Sequence, residues 1–564
     1  MSDIQVLQGL NLESDISIIK INIHKSDVIV KYLELLKGYH PLFMREYKFE
    51  KDTLYIYSQI TSLWRELGKV LINLSEGKIN YEEAKRYSLE EVIKQRVLSM
   101  VTIPILHITH KLGLEATPTM LIDENRVPYT KTFNRYYTLG VGKNSQILYS
   151  ISSSKDCKMG QNIQKDKWAT NLVIERMGLP IPKWQVIDNK SQIEKIWSQY
   201  NKPVVIKPVG LNGGHGVVVG INKLEEAERA FEFAQDACKR HVGKDWQNKI
   251  MIQEQVKGED YRLLVINGKL EITTKRIPAF VIGNGKDTIE KLIEETNKDP
   301  RREITSPTHT LKPILIDEPL LAYLKEQGLT LNSVPTKDTR VFVRKVASMS
   351  QGGITEDFTN NVGPEIKAIV ESIATSIHAF TLGVDILCQD ISKPLTKENG
   401  AILEINMMPE GYLNVYPVIG KTREDVYVKY VKTLLEGNKT KRIVVVGQSP
   451  NDIPTLLRKR SLLGSYIKQE DVVGEYKDGE IIINGLEINK GLEKWKAIEG
   501  LKINASLDTM IIHHRNIDDI EETGFGFNHI DLLLVESKYL SNETFRKTIR
   551  RYKMKGLISK IKKF

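Results

Sequence analysis

The chain has 564 residues, 41% of them hydrophobic and 27% charged, with a formal net charge of +10. That length exceeds one ordinary core and predicts two to four domains, while no run approaches the ~20 apolar residues of a membrane span. The opening MSDIQVLQGLNLESD has acids where a secretory signal wants a basic start, and Cys157, Cys238 and Cys388 lie far apart with no CxxC, which points to reduced thiols in a cytoplasmic protein.

In chain order, ISIIKINI (16–23) and TLYIYSQI (53–60) predict short strands, and SLEEVIKQRVLSMV (88–101) a helix. From about residue 165 helix and strand alternate compactly. KDKWATNLVIERMGL predicts an amphipathic helix with Trp168, Leu172, Val173 and Met177 at helical spacing. IPKWQVI, KPVVIKP and KIMIQEQV read as strands, and LEEAERAFEFAQDAC as a helix. YRLLVINGKLEITTKRIPAFVI predicts two strands joined at Asn267-Gly268, the strongest short hairpin signal. PEIKAIVESIATSIHAFTLG then reads as a long helix feeding the strand VDILC, and GAILEIN as a strand with a polar end. After the polar joint EGNKTK (436–441) comes the apolar run RIVVVG. Nine of the eighteen residues from Arg546 to Lys563 are Lys or Arg. Such a tail suits an anionic partner or a solvated helix-ending surface; with no zinc finger and no aromatic–basic interleaving, the sequence argues against a nucleic-acid reader.

Chemistry first shows in KPVVIKPVGLNGGHGVVVG, with Gly210, Gly213, Gly214 and Gly216 between two β-branched runs. A Walker loop would need GxxxxGK[ST] opening a helix, and a dinucleotide loop GxGxxG before a helix. Here a strand follows. What remains is a hairpin flap whose amides could close over a triphosphate, or a glycine-rich turn with no ligand. Lys207, just before the loop, is placed to neutralise phosphate charge. Further on, IQEQVKGEDYR offers a strand edge that could read adenine, a ribose-binding carboxylate in Glu259, and Arg262. Asp385, Glu404 and Asn406 end two predicted strands, as hard oxygen ligands that suit Mg2+ beside nucleotide phosphates.

The order of Lys167, Lys207, the flap, the E-x-V hinge at Glu254, Gln255 and Val256, Arg262, Asp385 and Glu404-x-Asn406 resembles that of an ATP-grasp ligase. RIPAFVIGNGKDTIEKLIEETNKDPRR, SQGGITED, DISKPL and EINMMP are similar to the ligase domain of cyanophycin synthetases, and YYTLGVGKNSQILYSISSS extends the likeness over most of residues 1–435. The resemblance implies an α+β multi-domain chain: an N-terminal α/β domain (1–155), an ATP-grasp domain (156–437) and a small Mur-ligase-like C-terminal remnant (442–564). It implies ATP and Mg2+ as cofactors, amino-acid or peptide substrates joined through an acyl phosphate, and a homodimer or homotetramer.

In that scheme Arg262, Lys207 and Arg276 are catalytic. Lys167, Lys207, Gly213, Gly214, His215, Gly216, Glu254, Gln255, Val256 and Glu259 hold the nucleotide, and Asp385, Glu404 and Asn406 the metal. Arg301, Arg302, Ser350, Gly352, Gly353, Tyr412 and Asn414 contact substrate, Arg301 and Arg302 reading equally well as a solvated basic pair. Two departures stand out. Cyanophycin synthetases carry an arginine and a histidine where this chain has Tyr412 and Asn414. In RIVVVGQSPNDIPTLLRKR the lysine and Ser/Thr of a phosphate loop are missing, so the Mur-like segment is expected to be inert, as in truncated cyanophycin synthetases that polymerise ready-made dipeptides. A non-polymerising peptide ligase and an ATP-binding pseudoenzyme are the alternatives. His107 and His110 have no acidic third ligand nearby and read as core or surface histidines.

Overall fold

The computed structural model describes residues 4–93, 101–120, 136–143, 145–211, 215–240, 249–302, 310–409, 411–437, 440–448, 453–454 and 466–564. Gly213 and Gly214 of the flap, and most of QSPNDIPTLLRKR, lie outside them. The chain divides into two compact units, one made of residues 1–150 and 427–564, the other of residues 151–426.

The first unit holds two principal sheets. Strands Ile4–Leu7, Ile18–Asn22, Thr53–Tyr57 and Glu46–Glu50 form an antiparallel sheet in that order. The apolar run RIVVVG becomes the strand Lys441–Val446, central in a seven-stranded sheet and flanked in parallel by Thr509–His514 and Leu532–Val535. Both of its faces are covered, so the strand reads as a continuous apolar run. Gln8 and Leu10 donate their backbone N–H groups to the carbonyls of Thr523 and Phe527, both at 2.8 Å. The basic tail is folded: in the helix Glu543–Met554, Phe545, Ile549 and Tyr552 are buried, and the strand Ile561–Lys563 pairs with Leu532–Val535.

The second unit is built on two antiparallel sheets. The smaller, in the order Val218–Ile221, Val204–Pro208, Ile250–Glu254, Trp184–Ile187, is backed by the helices Lys190–Trp197 and Leu224–Arg240, whose Ile193, Ala230, Phe231 and Ala234 complete one core with Val204, Ile206 and Ile252. The larger runs Ile354–Asp357, Lys269–Ile277, Glu259–Ile266, Thr381–Cys388, Gly400–Asn406. The Asn267-Gly268 turn forms as expected, with φ of 48° and 72°, the left-handed pair that a type I′ hairpin requires. One face of this sheet, carrying Leu263, Val265, Val384 and Ile386, packs on the helix Pro364–Ser376. By the two-residue period of a strand the other face takes Asp260, Arg262, Asp385 and Glu404.

One expectation fails. In the helix Lys167–Arg176 the buried side chains are Thr170, Asn171 and Ile174, with Val173 and Met177 partly covered, whereas Trp168 is 51% and Leu172 45% exposed. The helix packs one side on the sheet while Lys167 at its first turn reaches polar partners, and that polar duty overrides the apolar stripe read from spacing.

Candidate active site

Strand register assembles the polar face of the larger sheet. Arg262 stands opposite Asp385, Asp385 opposite Glu404, and Asp260 opposite Arg276. Between Asp385 and Ile386 the pairing with the next strand slips by one residue, which leaves Leu403 as the extra residue of a bulge. Bulges re-aim side chains, and Leu403 joins Leu387 in the wall of a cavity. Gly383 is required for packing, because a Cβ there would lie 3.1 Å from Arg262 Cδ and 2.8 Å from Pro409.

Arg262 grips Asp385 with two nitrogens, through Nε and, at 3.1 Å, through Nη2. Arg276 Nη2 sits 2.7 Å from Asp260 and 3.0 Å from Asp385. Desolvation works to raise the Asp385 carboxyl, but the Arg262 and Arg276 guanidiniums outweigh it and hold the group below the usual carboxylate range. Asp260 goes the other way: burial raises it, and the Asp385 charge adds to the rise against the pull of Arg276. Lys167 Nζ lies 3.9 Å from Glu404 and donates to the Leu211 carbonyl at 2.6 Å, so it touches the start of the flap. Asn406 Nδ2 donates to Glu404 Oε1 at 3.0 Å. Lys207 is pushed down to about 8, chiefly by desolvation and then by the neighbouring Lys167 charge, with Glu404 opposing.

A cavity of about 320 Å3 lies between the two sheets, with Val205, Val219, Val256, Leu387 and Leu403 as apolar walls and Lys207, Glu259, Asp260 and Arg276 as polar ones. Its hinge is fixed from outside: Glu254 Oε1 accepts from the Asn201 N–H at 3.0 Å, and Gln255 Oε1 from the Gly220 N–H at 2.6 Å. Gly216 has a φ of 72°, and a Cβ there would meet Pro208 and Ala237 at 2.8 Å. His215 is exposed. As for metal, among the described residues no three His, Cys, Asp or Glu are gathered. What fits a hard cation is two carboxylates and an amide, Asp385, Glu404 and Asn406, on adjacent strands.

Of the remaining candidates, Asn414 meets this face through Thr274, the cross-strand partner of Arg262. Glu259 alternates to the opposite side of its strand from Arg262 and pairs with Lys275 at 2.9 Å, though it too lines the cavity. Arg301 is paired with Asp299 at 2.7 Å. Arg302 is buried and donates to the carbonyls of Lys312 at 2.5 Å and Gly352 at 3.0 Å. Ser350 bonds Ser348 at 2.8 Å, and a Cβ on Gly353 would meet Met349 at 2.7 Å. Asn414 is buried and accepts from Thr274 Oγ1 at 2.6 Å, while Tyr412 lies against Tyr416 with centroids 4.5 Å apart and the rings tilted by 30°.

Three polar residues of the cavity are not marked by any motif of the sequence. Asp260 could have been found by strand alternation, since it shares the parity of Arg262. Gln253 is 3% exposed and lines the cavity. Lys345 also lines it and pairs with Glu326 at 3.1 Å; no motif announced it.

Residues 165–276 match the family model of the phosphoribosylglycinamide synthetase ATP-grasp (A) domain. The chain is 33% identical over 354 residues to the cyanophycin synthetase of Geminocystis herdmanii, covering 63% of this chain and 39% of that one. It is 31% identical over 371 residues to the Synechocystis cyanophycin synthetase, covering 65% and 41%. A glutathione biosynthesis bifunctional protein of Clostridium perfringens is 30% identical over 283 residues, covering 49% and 35%. The chain thus spans about two fifths of the length of these two cyanophycin synthetases. Among solved structures, a bifunctional glutathione synthetase from Pasteurella multocida aligns with a TM-score of 0.44 and 23% identity, over 65% of this chain and 49% of that one.

Proposed function

We propose that this chain, which carries an ATP-grasp domain and is homologous to cyanophycin synthetases, is an ATP-dependent ligase that joins a carboxylate to an amine of amino acids or short peptides. The observation that carries the reading is the line of Arg262, Asp385 and Glu404 across three neighbouring strands, with a half-apolar cavity of about 320 Å3 beside it. Apolar walls next to a strand edge suit a purine, and Lys167, Lys207, Arg262 and Arg276 supply the positive charge a triphosphate needs.

In the proposed reaction a substrate carboxylate oxygen attacks the γ-phosphorus and ADP leaves. The amine nitrogen then attacks the acyl carbon of the acyl phosphate, and inorganic phosphate leaves. Lys207 and Lys167 hold the phosphates, and Arg262 and Arg276 stabilise charge on the transferring group. Asp260 orients Arg276. The segment rooted at Leu211 and Gly216 excludes water, which would hydrolyse the intermediate. Asp385, Glu404 and Asn406 would hold Mg2+, which supplies charge neutralisation at the phosphate oxygens. The same reading takes residues 156–437 as the ligase domain and 442–564 as an inert Mur-like remnant, in a homodimer or homotetramer.

The test is the full chain with ATP, Mg2+ and a panel of amino acids and dipeptides. ADP release should require both substrates, mass spectrometry should find the amide, and Lys207→Ala and Glu404→Ala should each lower kcat by about 10²–10³. ATP binding without ADP release on any panel member would instead mark a nucleotide-binding pseudoenzyme.

A further inference from the structure

The first unit contains a polar cavity that the ligase reading leaves unused. An outer chamber of about 220 Å3 and an inner recess of about 40 Å3 share Ser17, Gln59, His110 and Asn528 in their walls. The acids around it are already engaged. Glu115 accepts from Lys502 at 2.9 Å and from the Asn528 backbone N–H at 2.6 Å. Glu499 accepts from Gln8 at 3.1 Å, and Asp15 pairs with Lys555 at 2.8 Å.

The neutral groups present donors. Asn528 Nδ2 lies 3.1 Å from His110 Nδ1 and 3.2 Å from the Leu114 carbonyl. An amide nitrogen can only donate, so His110 accepts at Nδ1 and carries its proton on Nε2. Burial keeps that imidazole neutral, at about 4. His107 Nδ1 lies 2.8 Å from Gln59 Oε1; the oxygen accepts there, which leaves the Gln59 NH2 to donate elsewhere. Arg45 and Lys111, both exposed, stand in the outer wall. With Asp15 paired to Lys555 and Glu115 to Lys502, Arg45 and Lys111 give the chamber a cationic balance.

We propose that this cavity binds a small carboxylate of amino-acid size, held by Arg45 and Lys111 at the mouth and by Gln59 and His110 deeper in. The chamber is smaller than the roughly 300–1,000 Å3 of pockets for larger ligands, and two side-chain cations with two neutral donors match a carboxylate's lone pairs. The proposal is independent of the ligase reading, because its residues belong to the first unit and those of the ATP-grasp site to the second.

The experiment is calorimetric titration of the full chain, without nucleotide so that no turnover contributes, with L-aspartate, L-alanine and inorganic phosphate. One amino acid should show a saturable site, weakened about tenfold or more in the Arg45→Ala/Lys111→Ala double variant, which alters only exposed positions. ADP release by the double variant should equal that of the parent. The idea is overturned if neither amino acid binds saturably, if binding is undiminished in the double variant, or if phosphate binds more tightly than both.

Discussion

Lys207 sits where desolvation costs it its proton at about 8 rather than near the ordinary 10.5. Because its folded value is lowered, the unfolded chain binds more protons between those limits. This group therefore opposes folding below about 8, and its contribution to stability improves as pH rises across the window. Nucleotide binding runs the other way, since phosphates require the cation. ATP affinity should fall by up to about tenfold per pH unit above 8, with proton uptake visible by calorimetry in buffers of different ionisation enthalpy; Lys207→Met should remove that dependence. Asp385 and Glu404 should separate by a second measurement. Removing Asp385 leaves Arg262 without its carboxylate and Arg276 with Asp260 alone, in a poorly solvated place, so Asp385→Ala should lower stability by about 3–5 kcal/mol in urea unfolding. Glu404 has a side chain 30% exposed, and Glu404→Ala should stay within roughly 1 kcal/mol while losing turnover. Arg262, Asp385 and Glu404 stand out in the sequence as charge set in apolar strand runs, but Asp385 lies inside the strand Thr381–Cys388 and not at its end. Asp260 and its neighbour Glu259 are told apart only by the alternation of the strand.

At the scale of elements, strands and turns with local chemistry were readable: the Asn267-Gly268 hairpin, the β-branched strands and the helix Pro364–Ser376 all follow from composition and period. The helix Lys167–Arg176 was placed correctly, but its buried face was not. Its covered residues include Thr170 and Asn171, a polar choice that only the neighbouring sheet makes sensible, Asn171 lying 3.7 Å from Met251 sulfur. The register that gathers Arg262, Asp385 and Glu404 links residues 123 apart in the chain for its first pair alone, and no local pattern encodes it. At the root of the flap, Gly216→Val should strain a left-handed backbone and collide with Pro208 and Ala237. It should destabilise the chain by about 1–3 kcal/mol and raise KM for ATP more than it lowers kcat. Thermal unfolding with steady-state kinetics would check both, and an unchanged KM would separate Gly216 from nucleotide binding.

At the scale of the molecule, the two terminal segments that composition treats as separate blocks contribute to one compact unit. Deleting residues 442–564 removes the seven-stranded sheet and the carbonyls that receive Gln8 and Leu10. It also leaves Glu115, which is 4% exposed, without Lys502. Such a chain should aggregate or bind a hydrophobic dye, as judged by size-exclusion chromatography and fluorescence. A monodisperse product with a cooperative N-terminal transition would show that residues 1–150 fold without their C-terminal complement.

The interposition of residues 151–426 between the two parts of the first unit also sets an order in time. During synthesis the middle of the chain can close on itself before the last strands exist. The first 150 residues emerge earliest yet wait for more than 270 further residues before their partners begin to appear. At about 5–20 residues per second that delay amounts to some tens of seconds. Leu10 and Val141, whose core is completed only by residues after 443, are thus left uncovered for that interval.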